Sequence, residues 1–141
     1  MTISGHVDDE FLSRRRRGLA AADRGSKAAP GRVLIADRNR LFAEALMVTI
    51  DVEPSLEPIG YALESREAIE LAEALEPDVV VIGTSFAQRD IAMLRTLIGA
   101  LCPEAEVVVL RPPQSADEIL TILTAACRGA RTQAARQLSH A

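Results

Sequence analysis

The spacing of apolar residues along the chain changes in a regular alternation, and each change marks an element. Val33-Leu34-Ile35-Ala36 is a short apolar run closed by Asp37, the pattern of a strand buried on both faces. Residues 39–50 follow with helical spacing. Leu41, Phe42, Ala45, Leu46, Thr49 and Ile50 fall on one face, and Pro54 lies past the end. Leu56 to Tyr61 reads as a second strand. Pro58 has no N–H to give to a ladder, which sends this strand to a sheet edge. Ser65 can cap a helix running to about Leu75, with Ala68, Leu71, Ala72 and Leu75 inward and Pro77 as its stop. Asp78 reads as a polar start to the third strand, whose β-branched run is Val79 to Ile82.

A loop of Gly83-Thr84-Ser85-Phe86 comes next, in which Gly83 suits a tight turn and Ser85 suits a helix cap. Ile91, Leu94, Ile98 and Leu101 then recur at helical spacing up to Pro103. Val107 to Leu110 is a fourth strand, and Arg111-Pro112-Pro113 turns out of it. Ser115 and Glu118 make a capping box ahead of a buried stripe of Ile119, Ile122, Leu123 and Ala126, with Gly129 suited to the helix end. Strands this apolar, alternating with helices, predict an α/β fold: a doubly wound parallel sheet with right-handed crossovers. Any site belongs outside the carboxyl ends of the strands, at Asp37-Arg38, Gly83-Thr84-Ser85 and Arg111.

At 141 residues the chain suits one domain, and with 48% hydrophobic but 3% aromatic residues its core must come from Ala, Val, Leu and Ile. Charge divides the chain. Residues 1–31 hold six basic and four acidic side chains, a net of +2, which leaves −6 for the rest of a chain whose total is −4. The first segment lacks periodicity, ends in Pro30-Gly31, and is expected to be a disordered basic tail. The acidic remainder argues against broad nucleic-acid binding by the domain itself. Cys102 and Cys127 read as small core residues rather than a disulfide, metal or redox pair. His6 and His140 lack the neighbours of a ligand set. No apolar run nears the roughly 20 residues of a membrane helix. Arg14 to Arg17 followed by Gly18 to Ala22 hints at an export signal, but Asp23-Arg24 breaks it early, so a cytoplasmic protein is expected.

The run Arg32-Val-Leu-Ile-Ala-Asp37-Arg-Asn-Arg-Leu-Phe-Ala-Glu-Ala-Leu46 resembles the opening of a bacterial two-component response-regulator receiver domain, most similar to receivers of LuxR-type regulators. Glu53-Pro54, Gly60, Ala68, Pro77-Asp78-Val-Val-Val81 and Cys127-Arg128-Gly129 fall at that family's spacing, so the resemblance covers residues 32–131. It implies a flavodoxin-like receiver fold. It also implies an Asp acceptor after the third strand, paired acids that hold Mg²⁺ after the first, a Thr or Ser after the fourth, and a Lys after the fifth.

Mg²⁺ needs several hard oxygen ligands, and a transferring phosphoryl group needs its charge offset. Only Asp37 matches. The second acid is Arg38, the acceptor position is Gly83, the hydroxyl position is Arg111, and the Lys position falls near Gln133. Thr84 and Ser85 lie beyond the acceptor position. Asp37, Arg38, Gly83, Thr84 and Arg111 therefore read as a degenerate phosphorylation pocket with no catalytic residue, no Mg²⁺ site and no cofactor. Three arrangements are open: one Arg pairs with Asp37 and fills the pocket, the two Arg form a site for phosphate or a nucleotide, or both point to solvent.

Residues 132–141 hold no apolar run and are expected to be a short tail or partial last element, leaving no complete fifth helix. In the resembled family the surface of helix four, strand five and helix five commonly forms dimers, so uncovered flanks imply a protein partner or self-association. The expected function is an atypical, pseudo-receiver protein, not an enzyme, that signals by phosphorylation-independent protein–protein interaction. One alternative is a DNA-binding transcription regulator using Arg14, Arg15, Arg16 and Arg17, with salt-dependent contacts. The other is a small-anion or nucleotide sensor at the strand ends.

Overall fold

The structure is a computed structural model that describes residues 29–111 and 114–139, with 131–139 as backbone only. The tail Arg14 to Arg17 and the Pro112-Pro113 turn lie outside the described residues. Among the described residues eight elements alternate: β1 (Gly31–Ala36), α1 (Arg40–Asp51), β2 (Leu56–Ala62), α2 (Ser65–Leu75), β3 (Val79–Ile82), α3 (Gln88–Leu101), β4 (Glu106–Val109) and α4 (Ala116–Ser139). The four strands make one all-parallel sheet in the order β2-β1-β3-β4, the doubly wound arrangement that the alternation predicts.

Edge and centre follow from composition. β1 and β3 carry unbroken apolar runs, pair on both sides, and are buried. β2 is an edge, as Pro58 requires. The β1–β2 register slips there, from Val33 opposite Pro58 to Leu34 opposite Gly60. β4 is the other edge, and its Glu106-Val107-Val108-Val109 is only half buried.

The sheet separates two apolar layers. Leu34, Ala36, Val80 and Ile82 point toward α2 and α3, meeting Ala68, Leu71, Ala72, Ile91, Leu94 and Ile98. Val33, Ile35, Val79 and Val81 point the other way, toward Ala43, Leu46, Met47 and Ile50 of α1 and Ile119, Leu123 and Cys127 of α4. α4 thus leaves the edge strand and returns across the sheet to lie on the face of α1, touching β4, β3 and β1. Its start is capped by Ser115, as half of the expected capping box: the Glu118 amide donates to Ser115 Oγ at 3.1 Å, while Glu118 Oε1 accepts from the Ser115 hydroxyl at 3.2 Å.

Three sequence expectations change. Gly129 does not end the helix; α4 continues to Ser139, so residues 132–139 are helical backbone rather than a separate element. Ser65 does not cap α2, which begins after Glu64 without a side-chain cap bond. The third change concerns α1. Its buried face is Ala43, Leu46, Met47 and Ile50, while Leu41 is 79% exposed and Ala45 is exposed. The helix is apolar on more than one side, so periodicity alone could not choose which side the sheet takes.

Candidate functional site

The site is built where two loops leave the middle of the sheet. β1 ends at Ala36 and β3 at Ile82, and the Gly83 amide donates to Ala36 O at 2.8 Å. Asp37 and Gly83 are therefore side by side at the carboxyl edge. Asp37 is only 3% exposed, so its carboxylate must be matched by donors. Asp37 Oδ1 accepts from Ser85 Oγ at 2.6 Å and from the Asn39 amide at 2.7 Å. Ser85 Oγ in turn accepts from the Arg38 amide at 2.8 Å. Asn39 caps α1, its side chain accepting from the Phe42 amide at 3.2 Å. One carboxylate thus ties the β1–α1 loop to the β3–α3 loop.

This geometry answers the sequence reading residue by residue. Asp37, Gly83 and Ser85 come together; Ser85, which looked like a helix cap, is the partner of Asp37, and Ala87 stands at the α3 N-terminus without a side-chain cap bond. Arg38 and Arg111 are exposed, and no ion pair joins either to Asp37 among the described residues. A short hydroxyl on the next loop meets the buried carboxylate without the cost of burying a guanidinium, which explains why the Arg pairing does not form. Arg111 instead has its amide bonded to Gln114 Oε1 at 2.9 Å. Thr84 is exposed. Gly83 is not used for a turn conformation. A Cβ there would fall on Asp37 Oδ2, so glycine leaves the space that the Asp37 carboxylate occupies. The space beside the Gly83 Cα at the end of β3 is filled from the end of β1.

Ser85→Ala is expected to remove the neutral donor and the loop tie together. A loss of roughly 1–3 kcal/mol is predicted for a buried carboxylate stripped of one partner. Chemical denaturation of the purified variant measures it, and an unchanged midpoint would show that the tie contributes nothing.

At the opposite end of the strands lies a groove of about 550 Å³ lined by Glu73, Glu76, Asp78, Cys102 and Glu104. Asp78 there acts as the sequence suggests, its Oδ2 accepting from the Arg32 amide at 2.9 Å. Neither Cys102 nor Cys127 is in a disulfide. Burial, and then the negative charge of Glu73 and Glu76, push the Cys102 thiol above its ordinary pKa, which disfavours the reactive thiolate. Among the described residues no group of three His, Cys, Asp or Glu could hold a metal ion, and no helix is long and apolar enough to cross a membrane.

No protein-family model matches the chain. It is 38% identical over 72 residues to a protein-glutamate methylesterase/protein-glutamine glutaminase 2 of Anaeromyxobacter dehalogenans (strain 2CP-C), covering 51% of this chain and 20% of that protein. A protein-glutamate methylesterase/protein-glutamine glutaminase 1 of Geobacter sulfurreducens (strain ATCC 51573 / DSM 12127 / PCA) is 24% identical over 100 residues, or 71% of this chain and 24% of the relative. The chain therefore spans about a fifth of the length of these curated relatives. Among solved structures, a two-component transcriptional regulator AraC from Clostridium phytofermentans ISDg superposes with a TM-score of 0.65 at 21% identity, covering 74% of this chain and 98% of that one. The signal receiver domain of a response regulator NarL from Mycobacterium tuberculosis gives 0.55 at 19% identity, covering 71% and 98%. The described domain has the fold of response-regulator receiver domains.

Proposed function

We propose that this receiver-fold domain is a non-enzymatic, cytoplasmic signalling module that works by binding proteins and takes no phosphoryl group at the site of β1 and β3. One observation carries the reading: the Asp37 carboxylate lies over Gly83, in the space an acceptor side chain would need, and is held there by Ser85 and Asn39. Aspartyl phosphorylation needs a carboxylate free to attack and a cation to offset the charge of the transferring group. Asp37 is buried and engaged, and the neighbouring position that would supply a second oxygen ligand is Arg38. A sheet whose two loops are tied by Asp37 and Ser85 keeps one conformation, which suits a docking surface rather than a switch.

Incubation with a small phosphodonor and Mg²⁺, followed by intact-mass measurement, is expected to leave the mass of the protein unchanged. A stoichiometric, acid-labile adduct on an aspartate would overturn the proposal.

A further inference from the structure

Two helices end at the amino edge of the sheet, and both end without a base. α2 closes at Leu75 with Glu76 as its cap, α3 closes at Leu101 with Cys102 as its cap, and neither has a basic residue in its last turn. The open carbonyls of a helix C-terminus favour a cation. Acids stand there instead: Glu73 in the last turn of α2, then Glu76, Asp78 and Glu104. These four line the groove of about 550 Å³ between the two helix ends, and none of its lining residues is basic. That volume falls in the range of pockets that receive a small ligand. Among the described residues, no donor or cation lies within bonding distance of the Glu73, Glu76 or Glu104 carboxylates, and all three residues are exposed. Arg32 shows what the rim accepts: its Nη1 donates to the carbonyl oxygen of Glu76, the α2 cap, at 3.0 Å.

The same chain carries the matching charge. Arg14, Arg15, Arg16 and Arg17 are four consecutive guanidiniums, each a planar fork of donors suited to carboxylates and carbonyl oxygens. The chain that bears them enters the domain at the rim of the groove, where the Arg32 amide donates to Asp78 Oδ2 at 2.9 Å. Residues 18–31 join Arg17 to Arg32, and that length of chain spans up to about 50 Å when extended. The radius of gyration of a domain this size is about 13 Å, so the groove is within reach. Charge then decides between the two ends of the sheet. Arg38, Arg89 and Arg111 are exposed at the carboxyl edge and repel a basic segment, while the amino edge attracts it.

We infer that the Arg14–Arg17 segment of this chain docks in the groove at the amino edge of its own domain, its guanidiniums against Glu73, Glu76, Glu104 and the C-terminal carbonyls of α2 and α3. Exposed ion pairs are weak one at a time. The tether compensates, because it presents the segment at an effective concentration on the order of mM. Docking therefore covers the groove within one chain and neutralises four arginines that would otherwise be open to a polyanion.

Cys102 lines the groove and reports the docking as a disulfide, while Cys127 is buried. The full chain with Ser13→Cys, which sets a thiol next to Arg14, is treated with oxidised glutathione at low salt and mapped by mass under non-reducing conditions. A link within one chain is expected to form at least ~10-fold faster than when Arg14 to Arg17 are all replaced by Gln. Salt at 1 M, where charges are screened beyond about 3 Å, is expected to remove the difference. Glu73→Gln with Glu104→Gln is expected to slow the link as well. Losing Glu73 takes away a charge that holds the Cys102 thiol protonated, so a slower link reports docking and not a less reactive thiol. Both positions are exposed, and an unchanged circular dichroism melt confirms that the fold is kept. Equal rates with and without the four arginines, or a rate indifferent to the two Glu substitutions, would overturn the inference. Links formed only between chains would overturn it too, and would make the segment of a second copy the occupant. None of these outcomes depends on the phosphodonor result, so the two proposals fail separately.

Discussion

Replacing Gly83 with alanine is expected to lower the stability of the domain by about 2 kcal/mol, the usual cost of forcing extra volume into a filled space. The sign is the informative part. Alanine at a glycine position of ordinary backbone conformation commonly stabilises a protein by roughly 0.4–1 kcal/mol, because it restricts the unfolded chain. Here the new methyl group would land on Asp37 Oδ2, and Asp37 cannot retreat without giving up Ser85 Oγ and the Asn39 amide. The same substitution made in an Asp37→Ala background is therefore expected to cost less than about 0.5 kcal/mol, since the space is then open. This double-mutant cycle, read by urea unfolding, isolates the coupling between the two residues. Equal costs of Gly83→Ala in both backgrounds would show that Asp37 does not fill the space beside Gly83. The same collision meets Gly83→Asp, so a carboxylate side chain placed at the end of β3 would have to displace Asp37.

Most of the scaffold was legible in the sequence because its elements are signalled by rules that act locally. Pro58 marked the edge strand, Val79 to Ile82 marked a central one, and Ser115 with Glu118 marked a helix start. What stayed hidden depends on contacts between distant segments. Nothing in Gly83 or Ser85 alone says that a residue 46 or 48 positions earlier will lie over one and bond to the other. The sequence showed a missing acceptor and two arginines, and charge pairing suggested an Arg as the substitute. The structure uses a hydroxyl instead, because burying one more charge beside Asp37 costs more than donating a neutral hydrogen bond. α1 was misread for a different reason. With Leu41, Ala45, Val48 and Val52 on one side and Ala43, Leu46, Met47 and Ile50 on the other, two faces compete for the core, and only the packing of Met47 and Ile50 against the sheet decides between them.

Leu123→Ala is expected to produce the largest single loss, about 2–5 kcal/mol, against a total stability of roughly 5–15 kcal/mol for a domain of this size. Leu123 is fully buried on the face shared by α1 and α4, in one cluster with Val33, Ile35, Val79 and Val81. The sheet ends at β4, so α4 is not one of several elements covering this half of the face. It reaches back from the edge over β4, β3 and β1, and its hold rests on Ile119, Leu123 and Cys127. Close approach at Gly31, where a Cβ would collide with the Cys127 side chain, shows how little slack this packing has. Truncating Leu123 leaves a cavity between α4 and the strands, flanked on the same helix by Ile119 and Cys127, which stay packed against the sheet and hold it open. Leu97→Ala removes the same number of carbons from a side chain that is 39% exposed on α3, and is expected to cost under about 1 kcal/mol. Urea unfolding of both variants measures the difference. Comparable losses at the two positions would mean that α4 does not close the core, and that the four-stranded sheet stands without it.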